Sequence, residues 1–526
     1  MADAATRLSP PRPPRARPRR PSRSGAGLLA ALVAAFALPA AVPRAARAAD
    51  WLQFNYDSRH SGANPEETVL GPGNVGGLRV LYHVALPGVA DGAPVFLSGV
   101  ATPLGTKDLL FLTTRRGILL ALDAASGAVV WSRRPARRPG FTTAMPAIDP
   151  GRRFVYAYGL DGSVHRYRVE DGAEVAGRGW PQPATVKPAS EQGSADLTVA
   201  VAASGRAYLY AASTGYPGAA GDSQGHVTAI DLSRGASGAQ RVFNAVCSDQ
   251  AGHFPAGGAA DCSRTQAGIW ARAGVVYDPE LDRIFFTTGV GVFDADHGGR
   301  DWGDTVLALH PDGSGAGGGL PVDAYTPNDF QQLQDAGADL GSSHPVLLPP
   351  AAGSKYPHLV VQAGREGELH LLDRDDLSRQ GGPGHIAGEV EPVAVPQGGP
   401  VETAPAVWVN PHDGTTWIFF VNDNGISAMQ LFVDVAGNPT IFPQWTKSGG
   451  GGSSPVLAHG VLFYAGTAGL QALDPASGAV LYAHPGPGPI HWESPIVVNG
   501  RVYLADESGT LWAFGLRRRH APPGPG

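Results

Sequence analysis

Two stretches near opposite ends of the chain share one wording, and that constrains the fold more than any single motif. Leu119–Trp131 reads L-L-A-L-D-A-A-S-G-A-V-V-W, and Leu470–Tyr482 reads L-Q-A-L-D-P-A-S-G-A-V-L-Y. Each begins as a strand. Asp123 or Asp474 then opens a turn, Gly127 or Gly478 finishes it, and a second short strand ends on Trp131 or Tyr482. A unit that recurs within one chain must bury its apolar faces against copies of itself.

A second recurring signal spaces these units. A small or polar residue, a proline and an apolar run occur at Ala93-Pro94-Val95, Met145-Pro146-Ala147, His344-Pro345-Val346, Ala404-Pro405-Ala406, Ser454-Pro455-Val456 and Ser494-Pro495-Ile496. Proline is tolerated where a strand starts, because no ladder donor is lost there. Each start leads to a second strand, such as Leu109–Thr113 or Val502–Ala505, and then to a tight polar turn and a third. Leu197–Phe243 and Gly268–Tyr325 keep the pattern without the proline. The count is eight units, and the last, Ser494–Leu516, stops after its third strand. The early strand Leu78–Leu86 is free to supply the fourth, which would close a ring and bury the open edges. The expected fold is all-β: an eight-bladed β-propeller of four-stranded antiparallel blades, closed by an N-terminal strand. Asp329–Gly337 is the one segment expected to make a helical turn.

Composition agrees. The 72 glycines and 47 prolines are spread between short apolar runs, where they mark turns. A net charge of −6 without a basic face argues against nucleic-acid binding. Residues 1–48 read as a secretory signal peptide: basic, Pro-rich Arg12–Arg23, a short apolar run Gly25–Leu38, and Ala46-Arg47-Ala48 as the cleavage site. Arg19-Arg20 raises twin-arginine export, for which Pro21-Ser22-Arg23 is a poor continuation. No cysteine follows the apolar run to carry a lipid. The propeller is expected over 49–516, with a disordered tail over 517–526, in a periplasmic or secreted monomer without a transmembrane segment. In an oxidising compartment the two cysteines, Cys247 and Cys262, are expected to pair. Closing such a loop stabilises by roughly 3 kcal/mol in the chain-entropy model.

The wording of the repeat resembles the A-x-D-x-x-x-G-x-x-x-W pattern of pyrroloquinoline-quinone (PQQ) repeats in quinoprotein alcohol dehydrogenase-like propellers. The match is close at Ala121, Asp123, Gly127 and Trp131 and good at Ala472, Asp474, Gly478 and Tyr482. The opening D-W-L-Q-F-N-Y-D-S-R-H-S-G (Asp50–Gly62) is similar to the start of mature proteins of that group. The resemblance implies that the glycine permits the turn and that the terminal aromatic docks one blade on the next. It also implies PQQ and Ca²⁺ as cofactors of an alcohol or sugar dehydrogenase. The sequence departs from that group's enzymes in having no adjacent Cys-Cys pair and no C-x-x-C-H haem site.

Propeller sites lie where the innermost strands begin. The residues before each start are Asp91, Thr143, Asp196, Gln266, Trp270, His344, Glu402, Thr403, His491, Trp492 and Glu493. Of these, Trp270, Asp91, Glu402, Trp492, Glu493 and His344 are the candidate cofactor-binding set: indole faces for a planar ring, with acids for a cation. Asp294, Asp296, Asp301 and Asp304 crowd one Gly-flexible loop and are candidate ligands for a hard cation such as Ca²⁺. No catalytic residue is assignable. No G-x-S-x-G elbow places a nucleophile, and no G-x-G-x-x-G opens a helix. Two functions follow. One is an exported propeller of the cell envelope that binds a small molecule, a glycan or an envelope protein. The other is the PQQ- and Ca²⁺-dependent dehydrogenase.

Overall fold

The computed structural model describes residues 48–134, 136, 138–177, 179–217, 222–233, 240–250 and 262–517. The signal-peptide reading of 1–48 thus falls, but for Ala48, outside the described residues, as does the tail beyond Arg517. The strands form eight antiparallel sheets that follow one another along the chain. In blade 1, Val95–Thr102, Gly105–Thr113, Leu119–Asp123 and Val129–Arg133 pair in sequence order. Each of the six start prolines stands one residue before its blade's first strand. Blade 8 holds Ile496–Val498, Arg501–Ala505 and Thr510–Gly515, and Arg79–Ala85 adds its fourth strand, from Arg79 opposite Gly515 to Ala85 opposite Thr510. The ring closes as the sequence implies. The expected helical turn is a short α-helix, Phe330–Ala336, stopped by Gly337 at φ +64°.

The core lies between blades rather than at a common centre. Among the described residues, buried apolar side chains fall into seven clusters, each shared by neighbouring blades; the largest runs across blades 7, 8 and 1, over the seam. An aromatic residue on the outermost strand of one blade docks on the turn glycine of the next. Trp131 of blade 1 donates its indole N–H to Val169 O at 3.0 Å, and a Cβ on Gly172 would lie 2.5 Å from its ring. Trp445 of blade 6 donates to Pro475 O at 3.0 Å, and a Cβ on Gly478 would lie 2.9 Å from it. Tyr82 of blade 8 donates to Ala124 O at 3.0 Å, over Gly127. The turn glycine therefore serves twice: it takes positive φ, and it leaves room for the ring. Cys247 and Cys262 are bonded, in the connection from blade 3 to blade 4.

The opening segment acts as a strap around the axis. Innermost strands have a free edge facing the axis, and its backbone groups need partners. Trp51 exchanges two backbone hydrogen bonds with Phe96 of blade 1, Leu52 O accepts from Ile148 of blade 2, and Gln53 Oε1 accepts from Val199 of blade 3. Ser58 O accepts from Tyr277 of blade 4, Ser61 O from Val407 of blade 6, and Gly62 O from Leu457 of blade 7. Ala63–Asn64 then pairs in parallel with blade 7, and Asn64 Nδ2 donates to Val497 O of blade 8. Each partner is the second residue of its innermost strand, so the strap satisfies one level of the channel, blade after blade.

Candidate functional site

In a four-stranded antiparallel blade, the entry to the first strand and the turn between strands two and three lie at the same end. Residues from both positions surround one mouth of the axial channel, in a cavity of about 870 Å³. Asp91, Thr143, Trp270, Glu402, His491 and Trp492 come from strand entries. Arg115, Arg116 and Arg365 come from the two–three turns of blades 1 and 5. Trp270 and Trp492 form a corner, their rings 6.1 Å apart and inclined at 76°.

One wall is an ion cluster. The Arg115 guanidinium lies 2.7 Å from both Asp91 Oδ2 and Glu507 Oε1. His491 Nδ1 is 3.1 Å from both Asp91 oxygens, and the Trp492 N–H donates to Asp91 Oδ1. Burial alone would raise the Asp91 carboxyl, but the His491 bond and the Arg272 and Arg115 charges hold it below its ordinary value. The opposite wall has the same logic. Arg365 donates to Glu402 Oε1 at 2.8 Å, lies 3.6 Å from Asp339 Oδ2, and stands 4.9 Å over the Trp270 ring.

The floor is one buried arginine. Arg272 is 2% exposed; it pairs with Asp196 at 3.0 Å and donates to Thr143 O at 3.1 Å. Its guanidinium lies 5.6 Å from Trp492 above and 5.8 Å from Phe54 of the strap below. Glu493 is fully buried behind His491; Oε2 accepts the His491 N–H at 2.7 Å and Oε1 has no partner. Burial, with the charges of Asp91 and Glu507, pushes its carboxyl up to about 8.

Of the six residues expected to hold a cofactor, the fold therefore gathers Asp91, Trp270, Glu402 and Trp492 around one cavity, with Glu493 beneath them. His344 is not in the lining. It is buried in the axis, 6.2 Å from His60 of the strap, with both ring nitrogens unpartnered. Each of the four loop aspartates has a partner in or beside the loop. Asp294 Oδ1 accepts from Asp301 N, Asp301 accepts from Cys247 N and pairs with Arg264, Asp304 accepts from Leu340 N, and Asp296 lies 3.7 Å from His297. Among the described residues, the group whose ligand atoms come within 4.8 Å of one another is Asp91, His491 and Glu507.

Sequence reasoning missed Arg115, Arg365 and Glu507 because it looked at strand entries alone. The signal was present: Arg115-Arg116-Gly117, Arg365-Glu366-Gly367 and Glu507-Ser508-Gly509 occupy equivalent turns after second strands.

The comparisons with known proteins agree with this architecture. A family model described as outer membrane protein assembly factor BamB, built on PQQ-like repeats, matches residues 79–252, well under half the chain. No curated protein matches. Among solved structures, a europium-containing methanol dehydrogenase superposes with a TM-score of 0.61 at 16% identity, over 89% of this chain and 98% of that one. The quinohemoprotein alcohol dehydrogenase of Comamonas testosteroni does so with 0.58 at 14% identity, over 91% and 82%. A quinohemoprotein alcohol dehydrogenase of Pseudomonas putida HK5 gives 0.59 at 14% identity, over 90% and 82%. At such identities the likeness establishes the fold. The chain is an eight-bladed β-propeller similar in fold to the quinoprotein alcohol dehydrogenases, and its residues 79–252 match a PQQ-repeat family model.

Proposed function

We propose that the chain is an exported ligand-binding propeller of the cell envelope, whose small-molecule ligand enters the axial mouth and stacks in the corner between Trp270 and Trp492. The carrying observation is that corner, set inside a ring of paired charges. Two of the three lining guanidinium groups are already matched by carboxylates, so the mouth has little net pull on a charged molecule. What it offers is two apolar faces and a rim of donors and acceptors, which suits a flat ring edged with oxygen atoms. The disulfide supports an oxidising destination, and among the described residues no helix is long and apolar enough to cross a membrane.

A second reading, the PQQ-dependent dehydrogenase, is supported by the fold shared with quinoprotein dehydrogenases. The residues fit the quinone: Trp270 and Trp492 would take its ring, and exposed Arg116 with the outer edges of Arg115 and Arg365 its carboxylates. Bound there, PQQ would supply a two-electron acceptor for alcohol or sugar oxidation. The residues do not fit a calcium ion beside it at the Asp91–His491–Glu507 group, whose centre holds Arg115.

The test is a titration of the mature protein with PQQ and, separately, with a panel of mono- and oligosaccharides, followed by tryptophan fluorescence. A saturable change that weakens about tenfold or more in Trp270→Ala and Trp492→Ala supports the ligand-binding reading. Saturation by PQQ together with alcohol-driven dye reduction moves the assignment to the enzyme. A flat response to every compound at millimolar concentration overturns both.

A further inference from the structure

The Asp91–His491–Glu507 group has the form of a cation site, and the structure shows what stands in it. Arg115 presents five N–H donors in a rigid fork. Nε donates to Asp91 Oδ2 at 2.8 Å, Nη2 to Glu507 Oε1 at 2.7 Å, and Nη1 reaches Glu507 Oε2 at 3.3 Å. Nη2 is also 2.7 Å from Asp91 Oδ2 and 3.2 Å from His491 Nδ1. The guanidinium thus touches all three ligand groups, the two carboxylates at the distances of charge-assisted hydrogen bonds and the imidazole at 3.2 Å. The geometry is built from distant chain segments: Arg115 stands in a turn of blade 1, Glu507 in the equivalent turn of blade 8, and Asp91 and His491 at the two strand entries across the seam.

We infer that Arg115 is the resident cation of the axial mouth, occupying a three-ligand site that a divalent metal ion would otherwise take. Two carboxylates held this close repel one another unless a positive charge lies between them. Asp91 has no exposed side-chain surface, so that charge must belong to the fold or to a bound ion. The guanidinium fills the position covalently, with a planar spread that a spherical ion lacks. A metal ion entering beside it would meet a like charge and donor sets already in use. The mouth therefore receives its ligand without a metal ion: one N–H of Nη1 remains for the ligand, and chelators leave binding untouched. The inference does not depend on which ligand binds.

The experiment uses Mn²⁺, which accepts carboxylate oxygen and imidazole nitrogen, on the full mature chain, with free Mn²⁺ read by electron paramagnetic resonance. Four proteins are compared: the unmodified chain, Asp91→Asn, Arg115→Gln, and the double variant Arg115→Gln/Asp91→Asn. The expected result is one additional Mn²⁺ site in Arg115→Gln, at least about tenfold tighter than any site of the unmodified chain, and absent from the double variant. Binding to the unmodified chain is expected to be the same with and without Asp91→Asn, which isolates this group from surface acids. The inference is overturned if the unmodified chain holds Mn²⁺ at a site that Asp91→Asn removes. It is also overturned if Arg115→Gln, with circular dichroism like the parent's, gains no site. Should Arg115→Gln not fold, the first comparison still decides the matter.

Discussion

Glu493 shows how a single residue can set a pH dependence for the whole fold. Its carboxyl is fully buried, one oxygen is unpartnered, and it holds its proton up to about 8, whereas its ordinary value is 4.5. Between those values the folded chain binds a proton that the unfolded chain has released. The stabilisation from this group is therefore full below pH 4.5, falls as pH rises, and is gone above about 8. Asp196, pushed up to about 7 by burial despite Arg272, has the same sign over a narrower window. His344 has the opposite sign at the acid end. Burial, with His60 beside it, depresses its value, so its contribution is lost as pH falls below the usual histidine range. Between pH 6.5 and 8.5 Asp196 and Asp304, the latter pushed up to about 8 by burial, titrate alike in parent and variant, so the difference between the two proteins isolates Glu493. There, Glu493→Gln is expected to flatten the fall of the melting temperature, with a difference in stability on the order of 1 kcal/mol per pH unit up to about pH 8. Denaturant melts of parent and variant at pH 6.5, 7.5 and 8.5 check it; parallel slopes would place the proton elsewhere.

At the scale of elements, the glycine–aromatic dock is the part that local sequence carried best. The Asp-x-x-x-Gly turn and terminal aromatic are local features, and the structure gives Gly127 and Trp131 the roles that the family resemblance implied. Gly478→Ala would combine a positive φ of +69° with a Cβ 2.9 Å from the Trp445 ring. The expected cost is about 2 kcal/mol or more. Gly414→Ala, at φ +75° but with open space around it, isolates the backbone share and should cost about 1 kcal/mol. Equal losses in the two variants would mean that the ring has room to move and the dock is loose. The start prolines were legible for the same reason: a missing N–H is a property of one position. The mouth was legible by halves. Strand entries carry a signal, so Asp91, Trp270, Glu402 and Trp492 could be singled out. Arg115 and Glu507 meet only because blades 1 and 8 are neighbours, nearly 400 residues apart in sequence (a separation of 392). The strap was read as an opening motif, yet its function in the fold is a set of hydrogen bonds to seven different blades, which no local pattern encodes.

For the whole molecule, that same neighbourhood of blades 1 and 8 is where the ring is closed by strands from opposite ends of the chain, and where the mouth's ion cluster is assembled. Stability and site are therefore expected to respond together to a change at the seam. Val84 lies half-buried on the closing strand, and a Cβ on Gly127 of blade 1 would lie 2.9 Å from its methyl groups. Val84→Asp puts a charge where apolar side chains of blades 8 and 1 meet, at an expected cost of about 2–3 kcal/mol. Val129, 56% exposed on the outermost strand of blade 1, provides the control: Val129→Asp should stay within about 0.5 kcal/mol of the parent. A four-stranded blade without its fourth strand exposes an unpaired edge, so the seam variant should also self-associate as it melts. Thermal melts paired with light scattering separate the outcomes. A large loss with scattering for Val84→Asp alone supports a ring whose weak point is the closing strand. Similar melts for both variants would mean that the strap and the shared core between blades 8 and 1 hold the ring shut without that strand's help.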